Sequence, residues 1–149
     1  MTGLLSLGLS ACSWTTFHTA NGTVKVDVDQ KIMHMQTSEG NFDMGPNIAL
    51  PINWPTDIAI YPGSKVELTA NLTDSNGQMV QSTTQDKMQD IIDFYTKNLE
   101  GKGWTTKSTM KSEEMAMYSA AKDNREINIA VTTDEKERTI MLTTGTLEQ

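Results

Sequence analysis

Apolar and polar residues alternate at residues 23–29, where Val24, Val26 and Val28 fall on one side and Lys25, Asp27 and Asp29 on the other. A period of two marks a strand with one face covered. Gln30 and Lys31 follow as a turn, residues 32–37 return as the second arm of a hairpin, and residues 41–44 form a short third strand. Pro46, Pro51 and Pro55 then fix φ and remove backbone donors, so residues 46–56 read as loop. Alternation resumes with Val66, Leu68, Ala70 and Leu72, which predict a strand over 65–73. The Asp74-Ser75-Asn76-Gly77 run is a turn signal, and residues 78–84 are the returning strand.

The period changes at residue 85. Met88, Ile91, Ile92, Tyr95 and Leu99 recur at three- and four-residue spacing, the stripe of a helix over 85–99 with one buried face. Thr84 is placed to cap its start, Asp86 to complement the dipole there, and Gly101 and Gly103 to stop it. Asp93 and Lys97 are spaced as an i,i+4 pair on the wet side. Four strands follow, over 104–111, 115–121, 126–133 and 138–145, with polar turns at 122–125 and 134–137. These elements predict an α+β fold. An antiparallel β-sheet has one helix packed on one face, a ββα unit followed by a β-meander, and a small N-terminal β-hairpin precedes it. One face would be apolar beneath the helix and the other wet.

The start of the chain has a different pattern. Residues 4–12 read LLSLGLSAC, an apolar run ending in small residues, which is the outline of a secretory signal. The run is shorter than the roughly 20 apolar residues a bilayer-spanning helix needs. Its last four residues, Leu9-Ser10-Ala11-Cys12, resemble the bacterial lipobox. That resemblance implies diacylglycerol on the Cys12 thiol, cleavage just before it, and a home in the cell envelope. With Ser13 rather than Asp next, it implies sorting to the outer membrane in a Gram-negative cell. Cys12 is the only cysteine, so neither an internal disulfide nor a multi-cysteine metal site is available. The expected organisation is then a signal peptide over 1–11 and a lipid anchor and tether over 12–22. A β-hairpin segment over 23–45, the Pro-rich loop over 46–56 and the α+β domain over 57–149 follow. Trp14 and Phe17, in the tether, suit the depth of a membrane interface.

A second resemblance lies further on. Pro55, then Asp57-Ile58-Ala59-Ile60-Tyr61-Pro62-Gly63-Ser64, followed by Ile91, Ile92, Asp93, Phe94, Tyr95, Leu99, Gly103 and Trp104, resembles a family of uncharacterised bacterial lipoproteins. In that family a D-(I/V)-P-(I/V)-Y-P-G-A segment opens the domain and an F-Y … G-W pattern ends its helix. Ala59 and Ser64 depart from the pattern, which has Pro and Ala there. The resemblance covers about residues 55–145 and implies a secreted or lipid-anchored domain. Its shared residues imply structural roles and bring no activity.

Length and charge narrow the functional classes. The chain has 149 residues and a net charge of -7. An acidic surface repels phosphate backbones, which argues against nucleic acid. It also gives no pull toward anionic lipid, so membrane attachment must come through the N-terminal lipid. The one cluster suited to a soft metal is Met33 and His34 with Met44, since thioether and imidazole suit copper. Alternation along a strand sends Met33 and His34 to opposite faces, however, and ten Met in the chain make Met a general filler. Asp27, Asp29, Glu39 and Asp43 supply oxygen ligands without the spacing of a calcium loop. His18 and His34 have no nucleophile partner in a recognisable motif. The sequence therefore predicts no catalytic residue, no cofactor and no enzyme. It predicts a lipid-anchored cell-envelope module for non-catalytic binding, with the membrane and an envelope protein as partners, acting through the wet sheet face or an edge strand. The alternative is a small envelope metal-binding protein or enzyme whose site is assembled from distant residues.

Overall fold

The computed structural model describes residues 14–73 and 76–147. Ten strands and one helix run in the order β1 (Trp14–Thr19), β2 (Gly22–Asp27), β3 (Ile32–Thr37), β4 (Gly40–Met44), β5 (Lys65–Leu72), β6 (Gln78–Thr84), α1 (Met88–Gly101), β7 (Thr105–Lys111), β8 (Met115–Lys122), β9 (Arg125–Asp134) and β10 (Glu137–Thr146). All ten strands join one antiparallel sheet in the spatial order β1-β2-β3-β4-β5-β6-β10-β9-β8-β7. Cysteine 12 and the apolar run before it lie outside the described residues.

This corrects the α+β expectation. The protein is mostly β, with one short helix against a ten-stranded sheet, in place of a ββα unit and meander with a separate hairpin before it. The N-terminal strands are continuous with the rest because β4 pairs with β5 from Gly40↔Leu72 to Met44↔Leu68. The stretch read as a tether carries β1, which pairs with β2 along its whole length. Both faces of β1 are exposed, so its Thr-rich sequence carries no apolar alternation to reveal it. The β4–β5 pairing spans the loop of residues 45–64, and no local pattern encodes it. Gly40 makes the junction possible: at φ 153°, a Cβ there would lie 2.2 Å from the backbone oxygen of Asn71.

The helix starts at Met88, three residues later than expected, and no side chain caps it. The two residues expected at its start are used in the preceding turn. Thr84 Oγ1 accepts from the Asp86 N–H at 3.3 Å, and the Asp86 carboxylate accepts from the Tyr61 hydroxyl at 2.9 Å. Asp93 accepts from Gln89 Nε2 at 2.7 Å, where a Lys97 partner was expected. At the other end the Lys102 and Trp104 N–H groups both donate to the Leu99 carbonyl at 3.0 Å. The predicted stripe of Met88, Ile91, Ile92, Tyr95 and Leu99 is the buried face. It packs on Val80, Tyr118, Ile127, Ile129, Val131, Ile140 and Leu142, together with Ile58 and Tyr61 from the loop. Full burial of such side chains contributes about 2 kcal/mol each.

This core includes no residue from β1 to β4. Among the described residues, the half of the sheet formed by those strands is a single layer. The opposite face of the sheet is solvent-facing, as expected, but it is not uniformly polar. One cross-strand row there reads Val26, Met33, Met44, Leu68, Gln81, Met141, Ala130, Met117 and Met110 from β2 to β7. Methionine fills this face because its unbranched thioether fits irregular, half-exposed ground.

Candidate functional site

The four N-terminal strands form a groove on the face that, further along the sheet, carries the helix. It encloses about 610 Å³ and is lined by Trp14, Thr16, Thr23, Lys25, His34, Gln36, Asn41 and Asp43 among others. The register explains how residues so far apart in sequence meet. Antiparallel partners face the same side, so Thr16↔Lys25, Lys25↔His34 and His34↔Asp43 make one row. His18↔Thr23, Thr23↔Gln36 and Gln36↔Asn41 make the next.

His34 Nδ1 is hydrogen-bonded to Asp43 Oδ1. A carboxylate on one ring nitrogen fixes the imidazole's orientation and leaves the other nitrogen directed elsewhere. Both side chains keep about two-fifths of their surface exposed, at 42% and 43%. The Trp14 ring sits 5.2 Å from the His34 ring, tilted by 39°. Lys25, Gln36, Asn41 and Thr16 make no side-chain hydrogen bond among the described residues, and so present free donors and acceptors to the groove.

The structure separates the suspected copper ligands. Met33 and Met44 are direct partners across β3 and β4 on the methionine face, and His34 points into the groove on the other side. The acidic residues do not converge either. Asp27 Oδ1 accepts from the Gln30 N–H at 2.9 Å and closes the β2–β3 turn. Among the described residues no group of three or more His, Cys, Asp or Glu is placed to hold a metal ion. His18 lies on β1, with Nδ1 3.4 Å from Thr23 Oγ1. Trp14 and Phe17 point to opposite faces of β1. No helix among the described residues is long and apolar enough to cross a membrane.

Sequence reasoning missed Trp14, Lys25, Gln36 and Asn41 as site residues. The polar side of the 23–29 alternation carried Lys25, but the strand partners that gather the others were not legible.

The lipoprotein-like motif residues form a different structure. Asp57 receives Arg125 Nη1 at 3.0 Å and Nη2 at 2.7 Å, and Lys122 Nζ at 3.2 Å. The Arg125 hydrogen bond, joined by Lys122 and opposed by desolvation, holds the Asp57 carboxyl well below the usual range. The same guanidinium sits 4.9 Å above the Trp104 ring. Tyr61 meets Phe94 edge-on at 5.3 Å and lies 6.5 Å from Tyr95. Burial and the bond to Asp86 push the Tyr61 hydroxyl up to about 12, and burial pushes that of Tyr95 higher still. These residues fasten the 54–62 segment over the helix and the β8–β9 turn.

Residues 65–138 match the family model described as START domain-like. No curated protein matches the chain. The match runs from the first residue of β5 into the start of β10 and leaves β1 to β4 outside. Within the matched region the space between helix and sheet is filled by Ile91, Tyr95, Leu99, Ile127, Ile129 and Val131. The open, polar-lined ground lies beside it, in the β1–β4 groove.

Proposed function

We propose that this protein is a lipid-anchored component of the cell envelope, a non-catalytic binding module whose contact surface is the β1–β4 groove. The observation that carries the reading is the convergence of uncommitted polar side chains with Trp14 in one open groove. Ligand sites combine a concave surface with a few well-placed polar groups, and this groove has both. The START domain-like match supports binding as the general role. The lipobox-like residues ending in Cys12 support the anchor, in the outer membrane of a Gram-negative cell. Only Ser13 separates Cys12 from Trp14, a chain reach of about 7 Å. An acyl chain on Cys12 would hold the groove against the membrane surface, where an envelope partner meets it.

The test is cross-linking in cells followed by capture from membranes, comparing wild type with Cys12→Ala and with a Lys25→Ala/Asn41→Ala groove variant. Wild type should partition with membranes and capture its partner. Cys12→Ala should become soluble, and the groove variant should stay anchored but capture nothing. Wild type that is soluble would sink the anchor, and undiminished capture by the groove variant would sink the groove. Substrate turnover by the purified protein, abolished by His34→Ala, would replace the reading with an enzyme built on the His34–Asp43 pair.

A further inference from the structure

The second polar row of the groove does not end at β4. Asn41 on β4 is paired with Asn71 on β5, and Asn71 with Gln78 on β6. His18, Thr23, Gln36, Asn41, Asn71 and Gln78 therefore form one polar rung across six neighbouring strands. With strands about 4.8 Å apart, the rung is about 24 Å long. A second hollow, of about 350 Å³, takes over where the first stops. Asn71 and Gln78 lie in it, with Asn53 and Pro55 of the loop and Arg125 around them. Asn41 lines the first hollow and Asn71, its partner across β4 and β5, lines the second, so the rung passes from one to the other as a track across the strands.

From Thr23 to Gln78 the rung consists of one hydroxyl and four carboxamides, groups that donate and accept at once, while His18 ends it on β1 with an imidazole and Arg125 borders the second hollow. Gln78 Nε2 donates to Asn71 Oδ1 at 2.9 Å, so that pair is partly satisfied within the protein. Gln36 and Asn41 stand directly opposite one another in the same way and make no hydrogen bond among the described residues. In the row beside them Lys25 and Asp43 supply one charge of each sign. On β1, beyond the Lys25 row and beside His34, Trp14 offers an aromatic face, 43% exposed. We propose that this rung is a binding track for a linear, uncharged glycan. Sugar hydroxyls donate and accept as carboxamides do, and the C–H face of a pyranose ring stacks on an indole. The strand spacing also matches the length of one pyranose unit, so successive sugars meet successive side chains of the rung. The chain's net charge of -7 disfavours a polyanion, and an extended peptide would engage a backbone edge rather than side chains across the sheet.

This proposal rests on the binding-module reading and names its ligand. It is tested by calorimetric titration of the full chain with β-1,4-linked hexamers of glucose, N-acetylglucosamine and mannose, and with the matching dimers. At least one hexamer should bind, much more tightly than its dimer, because only the hexamer spans both hollows. Gln36→Ala/Asn41→Ala should weaken that binding about tenfold through lost hydrogen-bond partners. Trp14→Ala should weaken it about as much through the lost ring face. Asn71→Ala/Gln78→Ala should weaken the hexamer but not the dimer. All these positions except Gln78 are exposed, and an unchanged circular dichroism spectrum confirms folding of each variant. No binding by any hexamer at millimolar concentration overturns the glycan proposal, as does binding insensitive to the rung variants or to chain length. If hexamers fail while the groove variant still loses its envelope partner, the binding-module reading stands and only the ligand class is wrong.

Discussion

Arg125 grips Asp57 with both terminal nitrogens, at 3.0 and 2.7 Å, while its guanidinium lies 4.9 Å above the Trp104 ring. Asp57 belongs to the loop, Trp104 follows the helix and Arg125 opens β9. One cation therefore ties together three segments far apart in sequence. Planar bidentate pairing of this kind is specific to arginine.

Replacing Asp57 with Asn should cost about 2 kcal/mol, the scale of a charge-assisted hydrogen bond. The pH dependence follows from the direction of the shift. The folded carboxyl titrates well below its ordinary range, so its contribution is complete above about pH 4 and drains as the pH falls below that. Urea unfolding between pH 5 and about pH 2 should show a steeper acid loss in wild type than in Asp57→Asn.

Tyr61 has the opposite sign. Its folded hydroxyl titrates at about 12 against about 10 when unfolded, so its contribution is present below pH 10 and lost as the pH rises between those values. Tyr61→Phe should lose about 1 kcal/mol at neutral pH. Its stability should also fall less between pH 10 and 12 than that of wild type, as read by thermal melts across that range.

Gly40→Ala should break the sheet at one seam. The new methyl would collide with the Asn71 backbone oxygen, at 2.2 Å, in a conformation that side chains disfavour. The cost is about 3 kcal/mol or more. Because the core lies wholly beyond this seam, the helical circular dichroism signal should survive while ligand capture by the groove is lost. Retained capture with unchanged stability would contradict the close approach.

The sheet should open from its N-terminal side. Among the described residues no helix lies over strands β1 to β4 and none of their side chains joins the core cluster, whereas β8 to β10 lie against α1 or the residues it covers. Hydrogen exchange followed by mass spectrometry should show the amides of β1 to β3 exchanging much faster than those of β9 and β10. Equal protection in the two halves would refute the single-layer description. A ligand seated in the groove should slow exchange in β1 to β4 first.

What the sequence disclosed, and what it did not, follows from the range of the forces involved. The helix stripe of Ile91, Ile92, Tyr95 and Leu99 was legible because burial on one face imposes a local period, and the same holds for Ile127, Ile129 and Val131 in β9. The start of the helix was misplaced because Asp86, a good first-turn residue, is drawn away by Tyr61 of the loop, a tertiary contact no window contains. The fold class was misread for a related reason. Nothing near Gly40 announces that its strand will pair with residues 68–72, and β1 has no buried side to give it a pattern. The groove inherits both difficulties, since Lys25, His34, Gln36 and Asn41 become neighbours only through register. The separation of Met33 from His34 was legible, because adjacency in sequence is opposition in a strand.

Eight of the chain's ten methionines lie on the sheet face away from the helix: Met33, Met35, Met44, Met79, Met110, Met115, Met117 and Met141. Met88, on the buried face of the helix, sits inside the core. Thioethers at a surface are the protein groups that peroxide and hypochlorite reach first, and each becomes a polar sulfoxide. The molecule therefore concentrates its oxidisable atoms where their conversion leaves the core untouched. An oxidant would turn this face from greasy to hydrophilic, a chemical change of coat on a fold that stays intact, and reduction of the sulfoxides would reverse it.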